Sequence, residues 1–570
     1  MVRTVKSFTK IQTARIAALL MLASLLGAGV QAAMATEQTL IMNLNVVGDI
    51  GTDPTISNEV VQGCGYQPHH SYTHSARPIE TDANGNLIPW MAESYEISDD
   101  HRTITFHLRK GIKFADGTFL NASIWKFNFD RLLGYGLRDK SRLTLSAPVK
   151  YYDSSDALDE YTLKVQFTEG WPEIAQDLSG LSFPLISPWD VEPAWNIKGT
   201  LKPEKRYNGL GPYYVDENES ISKEKIVLKR RHSWRDDLDF HKPKIDTIIL
   251  TCITDPATVV AALKKGDINL INRYYSPTLE SLVDLVGNPE ITIKSRPSSR
   301  TYFISTAYWK EPFSGSDGIL LRKAINYALD REEIVTGAFF GYATPATDTM
   351  LLSPLLPDAP ECCYRGYDYN ISKAKQILSD AGWKDTNGDG ILDKNGKSLK
   401  DLDLVITSDS GTNAGLTWMK DVALIVQSQL TKVGISVKIR TLDSNTFAEA
   451  TKNGDFDLRL QYTQYQPMTF QLKTFNSSLI LYGNSSYANK NNTLENIAYE
   501  AGIATSEEVR DQNICQACSI LYEDAGTIPL VHPMEYTVMS SKVKGYEFGA
   551  GNGYIEHIEE CWIDDEKTIC

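Results

Sequence analysis

The sequence predicts an α/β protein built from more than one lobe. Three observations carry that expectation. Apolar, β-branched runs flank helix patterns in two separate places, at Thr247–Leu270 and at Leu402–Ile439, which is the rhythm of a strand–helix–strand unit. The stretch Thr103-Ile104-Thr105-Phe106-His107-Leu108 alternates strictly and predicts a strand far upstream of both. The chain also runs to 570 residues, enough for several domains or lobes.

The elements follow in order. Leu40–Val46 reads as a first strand, and Gly48–Arg77 as loop and helix. Leu87 to about Ser187 reads as a semi-independent unit, with strands at Thr103–Leu108 and Tyr161–Phe167 and a helix opened by Asn121. Asn208-Gly209-Leu210-Gly211-Pro212-Tyr213-Tyr214 returns the chain, and Lys225–Lys229 is the second strand of a hairpin. After the strand Thr247–Cys252, Asp255 is placed to cap a helix with Pro256 at its first position, and Gly266 to stop it. A strand follows at Asp267–Leu270. Leu321–Asp330 carries an apolar stripe, and Asp330 with Glu333 forms a capping-box pattern for the next helix. Ser372–Gly382 is a short helix. Leu402–Ile406, Trp418–Val433 and Ile435–Ile439 give strand, helix, strand. Asp455–Leu460 is a further strand, Ser506–Tyr522 a helix, and Ile528-Pro529-Leu530 starts the return.

Composition narrows the function. Hydrophobic residues make up 42% and charged residues 23%, as in a globular protein with sizeable cores. A net charge of −15 argues against a nucleic-acid partner, because phosphate binding needs a basic footprint. Residues 1–35 read as an export signal: Arg3, Lys6, Lys10 and Arg15 lead the apolar run Ile16–Val30, and Ala33-Met34-Ala35 supplies small-x-small. An uncleaved N-terminal anchor is the alternative. Export places the eight cysteines in an oxidising compartment. Cys515 and Cys518 share a helix face, yet the setting is not thioredoxin-like; disulfides and buried thiols are expected, with the pairing open. Glu361-Cys362-Cys363 and Glu556-His557-x-x-x-Cys561 are alternative soft-metal positions. Of six Asn-x-Ser/Thr sequons, Asn121 suits a helix cap better than a glycan. There is no Gly-x-Ser-x-Gly, His-Glu-x-x-His, P-loop or dinucleotide fingerprint, so an enzyme is not expected.

Several blocks in order resemble one family. They are Leu87–Leu133, with its Pro89-Trp90, Gly111-Ile112-Lys113-Phe114 and Asp116-Gly117; Asn208–Tyr214; Arg230–Trp234; Asp267–Asn269; and Arg322, Ala324, Tyr327, Ala328 and Asp330. The chain resembles the extracytoplasmic solute-binding proteins of peptide and nickel ABC importers, family 5, with nickel-binding members nearest. The resemblance implies a two-lobed periplasmic-binding-protein fold, α/β with mixed sheets, a hinge cleft and an extra small subdomain in the first lobe. It divides the chain into a signal peptide (1–35), lobe I (36–86), the small subdomain (87–207), lobe I again (208–299), lobe II (300–525), and a return to lobe I with a tail (526–570). It implies a monomer that delivers a small solute to membrane permease subunits, at the periplasm or the outer face of the cytoplasmic membrane.

Candidate cargo residues come from both lobes. Three histidines fall within six residues, His69, His70 and His74, beside Tyr66. Neutral imidazoles ligate nickel, copper and zinc. The resemblance places this segment where relatives turn into a cleft-lining helix, so Tyr66, His69 and His70 are the expected first-lobe contacts. Peptide-binding relatives carry an Asp-Tyr-Pro-Asp-Pro-like segment in the second lobe, where this chain has Gln464-Tyr465-Gln466-Pro467. A neutral Gln cannot neutralise a peptide's ammonium group, so metal or a small metal chelate is favoured over peptide. Gln464 and Tyr465 are the second-lobe candidates. Arg142, or Arg138, substitutes for a chelate-binding Arg absent from Leu181–Pro188. Asp385, Asn387, Asp389 and Asp393, with Gly390 at position six, follow the spacing of a structural calcium loop, although Gly396 stands at position twelve in place of a bidentate Glu. No resident cofactor is required. The expectation is thus an importer's capture protein for nickel or another transition metal, with a peptide carrier and a ligand-sensing surface receptor as alternatives.

Overall fold

The computed structural model describes residues 37–44, 75–81, 87–136, 151–171, 174–180, 183–205, 208–222, 224–231, 243–271, 278–298, 300–347, 359–408, 418–464, 492–504, 506–548 and 558–564. The local signals translate into elements with few shifts of boundary. Strand β1 is Thr39–Leu44. The small unit holds β2 (Ala92–Ile97), β3 (Thr103–Leu108), helix α1 (Ala122–Phe129), β4 (Tyr152–Ala157) and β5 (Thr162–Phe167). Its four-stranded antiparallel sheet runs β2-β3-β5-β4. The alternation in β3 buries Ile104, Phe106 and Leu108 against α1 and Trp171, in a core that also takes up Trp90 and Trp125. Asn121 caps α1, its side chain accepting from the Ile124 N–H at 3.0 Å.

The small unit is tied to the returning chain by a polar knot. The Asn208 amide donates to Asp116 at 2.9 Å and to Asp190 at 2.7 Å, and its carbonyl oxygen accepts from the Asp116 N–H. Burial raises the Asp190 pKa against the opposing pull of Asn208 and Lys205. The turn at Asp116-Gly117 and the Asn208 block therefore meet 92 residues apart in sequence.

The main sheet continues with β6 (Tyr213–Val215), β7 (Lys225–Arg230) and β8 (Thr247–Cys252). Helix α2 (Pro256–Lys265) has the expected ends: Asp255 accepts from Thr258 N–H at 2.8 Å, and Gly266 adopts φ 85°, left-handed backbone that favours glycine. Then come β9 (Leu270–Ile271), β10 (Ile291–Pro297) and β11 (Arg300–Thr306). Helices α3 (Gly315–Ala328), α4 (Arg331–Phe339) and α5 (Ile371–Asp380) follow. After them run β12 (Leu402–Thr407), α6 (Trp418–Thr431), β13 (Val437–Leu442), α7 (Ser444–Asn453) and β14 (Leu458–Gln464). The chain closes with α8 (Asn492–Ile503), α9 (Glu507–Asp524) and the long β15 (Thr527–Ser540).

One twelve-stranded mixed sheet holds these together, in the order β6-β7-β8-β1-β9-β15-β11-β14-β12-β13, with β10 and the short strand Ala343–Pro345 also on β15. Residues 527–531 of β15 pair with β11, while 534–540 pair with β10. The cores divide the same way. One cluster packs β1, β7 and β8, and a larger one packs α3–α6, α8 and α9 against β11, β12 and β14.

The capping box at α4 is only half local. Asp330 accepts from the N–H groups of Glu332 and Glu333, as expected. The Asp330 N–H, however, donates to Oε1 of Gln429 on α6, and Glu333 accepts from Gln429 Nε2 at 2.9 Å. A buried amide from another helix takes the place of the returning Glu.

Two disulfides, Cys362–Cys515 and Cys363–Cys518, join a turn at Glu361–Cys363 to α9. Cys252 and Cys561 belong to neither of these bridges, while Cys64 and Cys570 lie outside the described residues. No described helix is long and apolar enough to cross a membrane.

Asp457, just before β14, is 2% exposed and accepts from Lys400 Nζ and from the Asp403 N–H, both at 3.0 Å. Burial alone would raise its pKa, but the Asp403 N–H, Lys400 and Lys310 outweigh it and hold the carboxyl below the ordinary range. A depressed folded pKa contributes stability above the unfolded value, lost as pH falls through the folded one. Asp457→Asn should therefore cost about 1–3 kcal/mol at pH 7. In urea denaturation series the gap to wild type should close as pH drops below about 4.

Candidate functional site

The order β14-β12-β13 contains a reversal. From β12 the chain crosses through α6 to β13 on one side, then through α7 to β14 on the other, all three strands parallel. Open α/β sheets bind ligands outside the carboxyl ends of strands at such a switch point. Here those ends are Thr407 on β12 and Gln464 on β14, with Trp418 opening α6 beside them. Gln464 pairs in register with Arg300, the first residue of β11 and so the junction with the other half of the sheet.

Aromatic rings build one wall of this end. Tyr302 stacks on Trp418 with ring centroids 3.7 Å apart and meets Tyr462 edge-on at 5.8 Å. The Arg300 guanidinium lies over the Tyr462 ring at 5.3 Å. Trp418 is 4% exposed, and its Nε1 has no hydrogen-bond partner among the described residues. A buried indole N–H without an acceptor is a donor held in reserve.

The other face of β14 carries a charge that sequence reasoning missed. Leu458, Leu460 and Tyr462 pack into or against the large core, so Arg459 and Gln461 point the opposite way. Arg459 is 1% exposed, and Nε, Nη1 and Nη2 all lack hydrogen-bond partners among the described residues. Its guanidinium sits 5.1 Å from the Phe456 ring, and burial pulls its pKa down to about 9. Across the sheet, Arg459 faces Ser305, which faces Thr527. Gln461 Nε2 donates to Ser305 Oγ at 2.6 Å, and Thr527 Oγ1 is again without a partner among the described residues. The other deeply buried arginines differ. Arg331 donates to the carbonyls of Pro529, Asn326, Leu329 and Tyr367, and Arg131 to those of Ile197 and Gly199. The alternation 458/460/462 against 459/461 is visible in the sequence; that both faces are buried is not.

Among the residues expected from the sequence, Tyr66, His69, His70, His74, Arg138, Arg142 and Tyr465 lie outside the described residues. Gln464 is described as the last residue of β14. Asp385, Asn387, Asp389 and Asp393 come together in one tight hairpin. Asp385 accepts from the N–H groups of Gly388 and Gly390, and Asp389 from that of Ile391. Asp393 takes the N–H and hydroxyl of Thr386. These carboxylates serve the loop's own donors, and among the described residues no group of three or more His, Cys, Asp or Glu is arranged to hold a metal ion.

Comparison with known proteins agrees with this architecture. The chain is 27% identical over 530 residues to the oligopeptide-binding protein AppA of Bacillus subtilis, covering 91% of each chain. Its structure superposes on NikA from Brucella suis in complex with Fe(III)-EDTA with a TM-score of 0.78 at 22% identity, over 92% of this chain and 100% of the other. It also superposes on NikZ from Campylobacter jejuni in complex with Ni(L-His), with a TM-score of 0.69 at 22% identity, over 92% and 99%. These likenesses show the two-lobed fold. The model of the bacterial extracellular solute-binding proteins, family 5 middle region, matches residues 86–482, and the chain therefore belongs to that family of solute-binding proteins of peptide and nickel ABC importers.

Proposed function

We propose that this protein is the extracytoplasmic capture component of an ABC importer, and that its cargo carries a free carboxylate. Family membership supports the transport role. The observation that carries the cargo class is Arg459, a guanidinium sealed from water with no counter-charge of its own. A buried unpaired charge costs several kcal/mol, and a carboxylate is the group that matches its fork of donors. The ligands named with the relatives share this feature: an oligopeptide, EDTA and histidine all bear carboxylates.

Two forms of such a cargo are distinguishable. In the first, nickel or another transition metal arrives as a small chelate, with Tyr66, His69, His70 and His74 supplying the first-lobe contacts and Arg142, Gln464 and Tyr465 the opposing ones. The three histidines within six residues favour this form. In the second, a peptide lies along β14. Its carboxyl end would meet the strand on the Arg459–Gln461 face, opposite Leu458, Leu460 and Tyr462. Delivery would be to membrane permease subunits, without catalysis by the protein itself.

Melting the purified protein with nickel, a histidine–nickel chelate and a mixed peptide pool separates the forms. Ligand at 100 times its dissociation constant stabilises by about 2.7 kcal/mol. His69→Ala with His70→Ala should abolish the response to metal or chelate and leave the unliganded melting curve unchanged; an unaltered nickel response would sink the chelate form. Arg459→Met should raise the unliganded melting temperature, by removing an unpaired buried charge of about 1–3 kcal/mol, while weakening peptide affinity at least tenfold. Peptide affinity within twofold of wild type would exclude Arg459 as the carboxylate's partner.

A further inference from the structure

The paired disulfides have a property that cross-linking does not explain. The first bridge joins residues 153 apart in sequence. Once it is made, the second closes only the short ring through Cys362-Cys363 and Cys515–Cys518. Loop-closure entropy grows with the length of chain enclosed, so the second bridge adds little constraint. What the doubling does create is a cluster of four sulfurs. Cys362 and Cys363 are adjacent, with their Sγ atoms 3.9 Å apart. Cys515 and Cys518 lie one turn apart on α9 and present both sulfurs to the same turn.

A tetrahedral tetrathiolate with metal–sulfur bonds of about 2.3 Å has sulfurs about 3.8 Å apart. The unbridged pair already has that spacing. We propose that Cys362, Cys363, Cys515 and Cys518 form a reduction-dependent site for a thiophilic divalent metal such as Zn²⁺, separate from the cargo site. In the oxidised protein the sulfurs are withheld as two disulfides. A dithiol donates two electrons and two protons to each bridge and leaves as its own cyclic disulfide. The four thiols then release four protons as the metal binds.

Access and persistence both follow from the surroundings. Cys362 is exposed and Cys515 half-buried, whereas Cys363 and Cys518 are buried. A reductant reaches the outer bridge first. The freed Cys362 thiolate then stands 3.9 Å from Cys363 Sγ, placed to form a Cys362–Cys363 bridge and release Cys518 as its thiolate, a bridge the dithiol reduces in turn. The two elements stay together without the bridges. Tyr367 donates its hydroxyl to the Tyr522 carbonyl at 2.6 Å and stacks on the Tyr522 ring, and Arg365 pairs with Glu523. Arg365, two residues past Cys363, also places a cation beside what becomes a doubly negative centre. α9 leads through Ala525-Gly526 into β15, the strand shared by both halves of the sheet.

The test uses the full chain, reduced anaerobically with dithiothreitol, desalted and titrated with Co²⁺. Reduced wild type should develop thiolate-to-cobalt charge-transfer and tetrahedral visible bands that saturate at one Co²⁺ per chain and vanish on adding Zn²⁺. Oxidised protein and Cys515→Ser/Cys518→Ser should show neither, and His69→Ala/His70→Ala should keep both. That last variant separates this site from the proposed cargo site. Absence of the thiolate bands in reduced wild type overturns the proposal. So does their persistence in Cys515→Ser/Cys518→Ser, or loss of the native circular dichroism on reduction, since the site needs the folded pair of elements.

Discussion

Strand β15 belongs to both halves of the main sheet, and the architecture hangs on how its fourteen residues divide their pairing. Up to Val531 it is a partner of β11; from Met534 it is a partner of β10. Pro533 falls at the changeover, where its missing N–H spares the sheet an unpaired donor. Its carbonyl is still used, accepting from the Ser298 N–H at 3.0 Å. Side chains pin the strand on each side. Thr301 meets His532 at 2.9 Å, Arg296 pairs with Glu535, and Arg331 donates to the Pro529 carbonyl. Two crossings, β10–β11 and β15, thus lie side by side where hinge closure of a two-lobed protein must be absorbed.

The same region shows how buried charge is handled. Arg322 and Arg331 turn their guanidinium groups onto backbone carbonyls, including that of Asp524 at the end of α9 and that of Pro529 in β15, and so stitch α3 and α4 to the start of β15. Such donors are satisfied by the fold and carry no functional implication. Arg459 has the same burial and none of the acceptors. Arg459 is set apart from these structural arginines by its acceptor list, not by its burial.

Local signals were legible and distant ones were not. α2 was readable at both ends because Asp255, Pro256 and Gly266 act within one turn of themselves. The α4 cap was half readable, since Gln429 reaches it from 99 residues away. The disulfide partners are separated by 153 and 155 residues, and nothing in their spacing selects the pairing. The resemblance named Gln464 as a second-lobe candidate, but the strand order that sets it at a switch point is visible only in the fold. Arg459 was not legible, because one strand's alternation says which face is apolar and not whether the polar face is covered. At the acidic loop the spacing showed that Asp385, Asp389 and Asp393 would gather in one turn, but not that they accept from Gly388, Gly390, Ile391 and Thr386.

The pairing of β9 with β15 has a consequence for how the chain is made. Leu270 faces Met539 and Ile271 faces Val538, while β1 lies between β8 and β9. The sheet that begins at Thr39 therefore stays open on one edge until residue 540 has been synthesised. The whole of the intervening second half must fold in the meantime. Contacts of such long sequence separation form slowly, and an open strand edge invites wrong partners while it waits. The order of synthesis makes β9 the most exposed point in assembly, although it is a two-residue strand at the centre of the finished sheet.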